Sequence, residues 1–242
     1  MDSIIDEIVV WLKEEVHKAG KKGIVFGLSG GVDSACLAAL AKRAFPDNYL
    51  GLIMPCEQAS SDAEMAIKLA NKLDLTTKKI ALDKPYKSLL EILPSTEDKI
   101  SKANLKPRLR MLTLYYFANI YNYLVVGTSN KSEITIGYYT KYGDGGVDLL
   151  PLAEFYKTEV RELAKELGIP KEIILRKPSA GLWPGQFDED EIGMSYSELD
   201  EIIRAIEDAN TNGIDKHKLD KVMKMIEGSR HKCQPVPVFQ RR

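Results

Sequence analysis

Cysteine is scarce in this chain. There are three in 242 residues, Cys36, Cys56 and Cys233, far apart and without a CxxC spacing, so neither a zinc site nor a redox pair is indicated. They read as buried or idle thiols of a reducing compartment. A basic excess is missing too: 34 Lys+Arg against 35 Asp+Glu leave a net charge of -1, and no global field points to nucleic acid. No run approaches the ~18 apolar residues of a membrane span. The first residues, MDSIIDEIVVWLKEEV, are acidic and lack the basic start and apolar core of a signal peptide. The expectation is a soluble, cytoplasmic protein with no membrane or nucleic-acid partner. Internal repeats are absent, and a mixture of 44% hydrophobic and 29% charged residues excludes low-complexity, collagen-like and coiled-coil architectures. A chain of this length buries roughly seven tenths of its unfolded surface and needs no disulfide or metal to hold a core. One α/β domain over 1–242 accounts for all of it.

What is present is an alternation of elements. Ile4, Ile5, Ile8, Val9, Leu12 and Val16 fall at helical spacing with acids between them, and Gly20 ends that helix. A glycine-bounded apolar run at 24–28 predicts a buried strand, followed by a small-residue helix over 35–44 and a strand over 49–54. A helix over 61–73, a strand over 79–82, a long helical region over 98–121 and a strand over 123–127 continue the pattern. A short strand at 147–150 and a helix over 158–167 complete it. Strand and helix alternating at this pitch predict a doubly wound parallel sheet with helices on both faces. Beyond Gly168, residues 177–193 read as a long loop, two amphipathic helices span 197–208 and 216–227, and a basic tail covers 229–242. That tail is either frayed or folded back over a site, and length alone favours fraying.

The first strand runs into Gly27-Leu28-Ser29-Gly30-Gly31-Val32-Asp33-Ser34. A loop at the carboxyl end of a central parallel strand faces the crevice where open α/β sheets bind ligands. Gly30 and Gly31 permit a turn with exposed N–H groups. The helix that follows aims its unpaired N–H groups and positive dipole end at an anion. Ser29 and Ser34 add hydroxyls. The string is not a Walker A loop, because Gly20-Lys21 precedes the strand and Lys22 stands where Ser or Thr belongs. No GxGxxG fingerprint follows the first strand either. SGGVDS is similar to the pyrophosphate loop (PP-loop) of the ATP pyrophosphatases, a group with an adenine-nucleotide α-hydrolase-like fold that cleaves ATP to AMP and pyrophosphate. Asp33 is an odd member of an anion loop, and a bound Mg²⁺ reconciles it with phosphate.

Identity within that group must come from other residues. The stretch 127–157 follows the fourth strand, which this topology places beside the first, so Glu133 is able to face Asp33 across the crevice. Taken alone, Glu133 reads more readily as a solvated helix residue. Seven segments in order resemble the ammonia-dependent NAD synthetase family: SGGVDS, NLKPRLRM, GTSNKSE, TKYGDGGVDLLPL, KTEVRELAKELGIP, KPSAGLW and the late His231-Lys232 pair. The resemblance implies an ATP- and Mg²⁺-dependent ligase that amidates deamido-NAD with ammonia, through an adenylated nicotinate carboxylate, as the last step of NAD biosynthesis. It implies a homodimer with substrate near the subunit interface. Residues 27–34, Thr128, Lys157 and Ser179 would contact ATP, and Asp33 and Glu133 would hold Mg²⁺. Arg108, Arg110, Lys141, Asp148, His231 and Lys232 would contact deamido-NAD. The chain departs from the family pattern at Ser179 (commonly threonine), Gly181 (often aspartate), Arg230 (glutamate) and Ser129-Asn130 (Asp-His).

The chemistry points the same way. A carboxylate is anionic and offers only an oxide leaving group, so it condenses with ammonia only after adenylation makes that oxygen part of a phosphate. Carboxylate and triphosphate repel, and the site must gather positive charge: loop N–H groups, Mg²⁺ and Lys157. Lys157 otherwise reads as a solvent lysine at a helix start. Arg108 and Arg110 are expected to form a fork for the substrate's pyrophosphate, or else a basic surface turn. Asp144, in a glycine-rich segment, is a candidate acceptor of a proton from ammonium or attacking ammonia. No glutaminase domain is expected within the chain, so free ammonia is the nitrogen source, with a separate glutaminase partner left open. The rivals are a tRNA-thiolating or GMP synthetase-like enzyme of the same loop class and a non-catalytic nucleotide sensor. Thiolation needs paired reactive cysteines and a more basic chain for tRNA; a sensor has no use for the 128–157 cluster.

Overall fold

A computed structural model describes residues 2–57, 60–183 and 185–241. In chain order the elements are α1 (Asp2–Lys18), β1 (Gly23–Gly27), α2 (Val32–Ala44), β2 (Tyr49–Ile53), α3 (Ser60–Lys72), β3 (Thr77–Lys79), α4 (Asp83–Ile92) and α5 (Lys99–Ala103). They continue as α6 (Leu105–Tyr121), β4 (Tyr123–Val125), α7 (Lys131–Ile136), α8 (Lys157–Glu166), α9 (Lys171–Ile174), α10 (Asp188–Ile192), α11 (Tyr196–Glu207) and α12 (Lys216–Cys233). The four strands form one parallel sheet in the order β3-β2-β1-β4.

Side chains alternate between two cores because successive strand residues point to opposite faces. Ile24 and Phe26 of β1 and Tyr49 and Ile53 of β2 enter a core with α1, α2 and α8. Val25, Leu50, Leu52 and Val125 enter the other, with Tyr86 of α4 and Leu114 and Phe117 of α6. The doubly wound arrangement read from the sequence is therefore present. Gly23 starts β1 because a Cβ there would lie 1.8 Å from the Asn48 carbonyl oxygen. A third core of Ile136, Tyr156, Ile192, Tyr196, Leu199 and Val222 seats the C-terminal helices on α7.

Several boundaries differ from expectation. β3 begins at Thr77, although Ile80 and Leu82 still donate backbone hydrogen bonds to Ile53 (2.9 Å) and Pro55 (2.8 Å). The expected strand at 147–150 is a single parallel bridge, Val126 to Leu149. α4, α7, α9 and α10 are helices that the apolar pattern did not reveal; only Tyr86 of α4 is buried. The basic tail is helical as far as Cys233, and residues 234–241 have no regular structure. Among the described residues no helix is long and apolar enough to cross a membrane. The thiols of Cys36 and Cys56 are buried and donate to the Val160 and Leu82 carbonyls, and burial pushes both pKa values up; Cys233 is exposed.

Candidate active site

The loop after β1 opens into a cleft of about 740 Å³ at the carboxyl ends of β1, β2 and β4. Gly30 adopts φ +84°, and a Cβ on it would approach the Asp62 carbonyl and the Ala66 nitrogen of α3 to 3.0 Å. Only glycine meets both demands. Ser29 and Ser34 shape the loop from within: their hydroxyls lie 3.0 Å apart, the Gly31 N–H donates to Ser29 Oγ, and Ser34 Oγ donates to the Gly31 carbonyl. Gly31 occupies the N-cap of α2 in extended conformation and has no side-chain cap bond. The first turn of α2 thus faces the cleft without a side-chain acceptor, as an anion-binding helix terminus requires.

Three charged side chains from three elements meet beside this loop. Lys157, the first residue of α8, is 3% exposed and places Nζ 2.6 Å from Asp33 Oδ2 and 3.0 Å from Glu133 Oε1. Burial works against its ammonium, but Asp33 and then Glu133 outweigh burial and raise its pKa. Burial raises the pKa of Glu133 to about 7; Lys157 opposes the shift and Asp33 adds to it. Two carboxylates converging on one cationic atom beside the SGGVDS loop make a donor set that suits Mg²⁺, which takes one or two protein carboxylates and completes its shell with phosphate and water. The residues present therefore fit the metal.

Sequence reasoning missed the surroundings of this triad. Asn130, 0% exposed, donates from Nδ2 to Asp33 Oδ1 (2.9 Å), and its Oδ1 caps α7 by accepting the Glu133 N–H (3.0 Å). Ser132 donates to Asp200 and accepts the Lys157 backbone N–H, while Asp200 also accepts the Thr158 N–H (3.0 Å) and hydroxyl (2.8 Å). This buried link fastens α7 and α8 to α11. Tyr196 donates to Asp188 (3.1 Å) and reaches Glu133 (3.5 Å), and Tyr138 donates to Asp188 (3.3 Å) and Glu191. Burial chiefly raises the pKa of Tyr196, with Glu133 adding to it, so the phenol remains a proton donor. Buried Lys106 bonds the Leu182 carbonyl (2.8 Å), tying the 177–187 loop to α6. Lys106, Asn130, Ser132 and Thr158 lie within the family-like segments, but nothing in those segments identifies their partners; Tyr138, Asp188, Glu191, Tyr196 and Asp200 lie outside them.

The remaining expected site residues divide into groups. Thr128, Ser179, Arg110, Asp144 and Lys232 line the cleft with the loop. Lys232 donates to the Gly137 (2.7 Å) and Tyr139 (2.9 Å) carbonyls, and Asp144 accepts the Thr140 N–H (2.9 Å). Arg110 donates from Nε to the Met54 carbonyl (3.2 Å), and its Nη2 is shielded from solvent without a partner. Arg108, Lys141 and His231 form a separate, more exposed set. Arg108 Nη2 donates to the Lys141 carbonyl (3.4 Å) and Lys141 Nζ to the His231 carbonyl (2.6 Å). The expected Arg108–Arg110 fork is not formed, because residues two apart on a helix point in nearly opposite directions. Asp148 spends its carboxylate on the Tyr115 hydroxyl (3.0 Å) and the Val125 N–H (2.8 Å), holding the end of β4.

With this geometry in place, the comparisons with known proteins are specific. The family model described as NAD synthase matches residues 4–236. The chain is 48% identical over 227 residues to an NH(3)-dependent NAD(+) synthetase of Finegoldia magna, covering 94% of this chain and 92% of that protein. Among solved structures, an NMN synthetase from Francisella tularensis superimposes with a TM-score of 0.91 at 35% identity, covering 98% of this chain and 97% of that one. An NH3-dependent NAD synthetase from Campylobacter jejuni, solved with a nitrate ion, gives a TM-score of 0.86 at 30% identity, with 99% of both chains covered.

Proposed function

Since the chain belongs to the NAD synthase family, we propose that it is a ligase that uses ATP and Mg²⁺ to amidate deamido-NAD with ammonia, yielding NAD, AMP and pyrophosphate. The observation that carries the reading is the convergence of Asp33 and Glu133 on one cationic point beside the SGGVDS loop. Those two carboxylates would hold Mg²⁺, which when bound supplies charge against the triphosphate. The open first turn of α2 receives the departing pyrophosphate, where each well-aimed donor is worth about 3 kcal/mol in the transition state. Lys157, kept protonated by its two acids, offsets the charge that builds on the α-phosphoryl group as the nicotinate oxygen attacks. Arg110 turns its unpaired Nη2 toward an anionic substrate group, and the Arg108–Lys141–His231 set receives the more distant part of the dinucleotide. Asp144 stands at the cleft as the acceptor of the proton that ammonia must lose. The single domain over 1–242 uses free ammonia, in the cytoplasm.

A homodimer fits the outward face of α6. Leu112, Tyr116 and Ile120, at 63%, 63% and 55% exposure, continue at four-residue spacing from Arg108, so a partner on that stripe lies next to a substrate-binding residue. Sedimentation velocity of the parent and of Tyr116→Glu tests it; two monomeric species refute it.

The activity test mixes protein, ATP, Mg²⁺, ammonium and deamido-NAD. NAD, AMP and pyrophosphate in equal amounts support the reading, whereas ADP or no reaction refutes it. The Francisella protein's name favours a second reading, with nicotinate mononucleotide as acceptor. The same assay with that mononucleotide decides by comparing kcat/KM. Replacing ammonium with glutamine, alone and with an added glutaminase, checks the nitrogen source.

A further inference from the structure

We propose that Asn130 is the positioning residue that aims the two carboxylates of this site at one point. The inference rests on the activity proposed above and concerns how the chain prepares its cation-binding acids. Asp33 belongs to α2 and Glu133 to α7, and Asn130 bonds to both from the junction between β4 and α7. Each carboxylate has one oxygen engaged by Asn130. Asp33 Oδ1 accepts from Nδ2 at 2.9 Å, and Glu133 Oε2 accepts from the Asn130 backbone N–H at 3.4 Å. The other two oxygens, Asp33 Oδ2 and Glu133 Oε1, are the ones that converge on Lys157 Nζ. Asn130 thereby decides which oxygen of each acid is offered.

The side-chain orientation is fixed by its partners. A carboxylate demands a donor and the Glu133 N–H demands an acceptor, so the amide has one acceptable rotamer and uses both of its ends. Full burial removes water as a substitute for either bond. Serine or threonine would keep the helix cap but is too short to carry a donor to Asp33. The Lys157 backbone is held independently through Ser132 and Asp200, and Glu133 keeps the bond from the backbone N–H of residue 130, so loss of the amide acts on Asp33 and leaves the start of α8 in place.

The test uses Asn130→Ser and Asn130→Thr, both competent caps. Three quantities are measured: the melting temperature, Mn²⁺ binding by electron paramagnetic resonance with α,β-methylene-ATP present, and kcat and KM. The expected result is a cooperative melt close to the parent's, at least tenfold weaker Mn²⁺ binding and at least tenfold lower kcat, with KM for deamido-NAD unchanged. Parent-like Mn²⁺ binding in either folded variant overturns the proposal. So does failure of both variants to fold, which would place Asn130 in the fold alone. A parent protein that binds Mn²⁺ and nucleotide but makes no NAD contradicts the proposed activity, while the Mn²⁺ comparison still decides the role of Asn130.

Discussion

Replacing Glu133 with glutamine is expected to stabilise the metal-free protein at alkaline pH while abolishing most of its activity. The reasoning starts from burial: the side chain is 16% exposed, and its pKa rises from an ordinary 4.5 to about 7. A carboxyl group whose folded pKa is raised contributes most to stability below its unfolded pKa. That contribution is lost as pH climbs through the folded value, because the ionised form is better solvated in the unfolded chain. Between pH 5.5 and 8.5 the loss for Glu133 amounts to about 2 kcal/mol. At this chain length that corresponds to roughly 4–8 °C in Tm. Glutamine is close to isosteric with the protonated acid, and its carbonyl still accepts the capping bond from the Asn130 N–H. Melts of parent and Glu133→Gln in EDTA should therefore differ by only a few degrees at pH 5.5, where the unfolded acid is already ionised, and by roughly 4–8 °C more at pH 8.5, with the variant higher at both. Turnover should fall at least roughly 100-fold, because one of the two carboxylates that would hold Mg²⁺ has gone. Parallel pH profiles for the two proteins, or a variant that melts lower at pH 8.5, would refute the electrostatic account of this site.

Other perturbations separate the roles of neighbouring residues. Arg110→Ala should raise KM for deamido-NAD roughly tenfold through loss of a charge-assisted bond; an unchanged KM in steady-state assays would remove Arg110 from the site. Truncation after Cys233 keeps both carbonyl contacts of Lys232 and should leave kinetics at parent level, whereas truncation after Gly228 deletes His231 and Lys232 and should raise KM sharply in a chain that still melts cooperatively. If the shorter truncation also raises KM, residues 234–242 act as a lid. Gly23→Ala forces a methyl to within 1.8 Å of the Asn48 carbonyl oxygen in the middle of the sheet. Urea unfolding should show a loss of at least about 3 kcal/mol, near the severe end for a point substitution; a loss below about 1 kcal/mol would mean β1 slides freely past the 46–48 turn.

What could be read before folding, and what could not, follows from the range of each signal. The β1 run, its glycine-rich loop and the small-residue helix after it are local, so 24–44 could be read from neighbours alone, and the adjacency of β1 and β4 followed from parallel topology. Asn130 is different: its meaning lies in one bond to an aspartate 97 positions away, and no window of sequence contains both. The sequence places the end of the last helix at 227, whereas α12 continues through Gly228 to Cys233. A helical glycine costs only about 1 kcal/mol; Ser229 packing beneath Gly137, the Lys232 contacts and the basic last turn hold the helix through it.

Lys157 is the most informative position because it breaks a local rule that the surrounding sequence obeys. A cation in the first turn of a helix opposes the helix dipole, and a buried lysine opposes solvation. Asp33, in the first turn of α2, agrees with its dipole but faces an anion site. Each residue is unfavourable where local rules alone are applied, and they are brought together by elements 124 positions apart. The pairing resolves both conflicts at once: the lysine receives two carboxylates, and the aspartate receives a cation beside the phosphate loop. Sites of chemistry are where such local contradictions gather. Here, two of them cancel only when α2, α7 and α8 meet at the cleft, and this makes the triad a product of the whole fold.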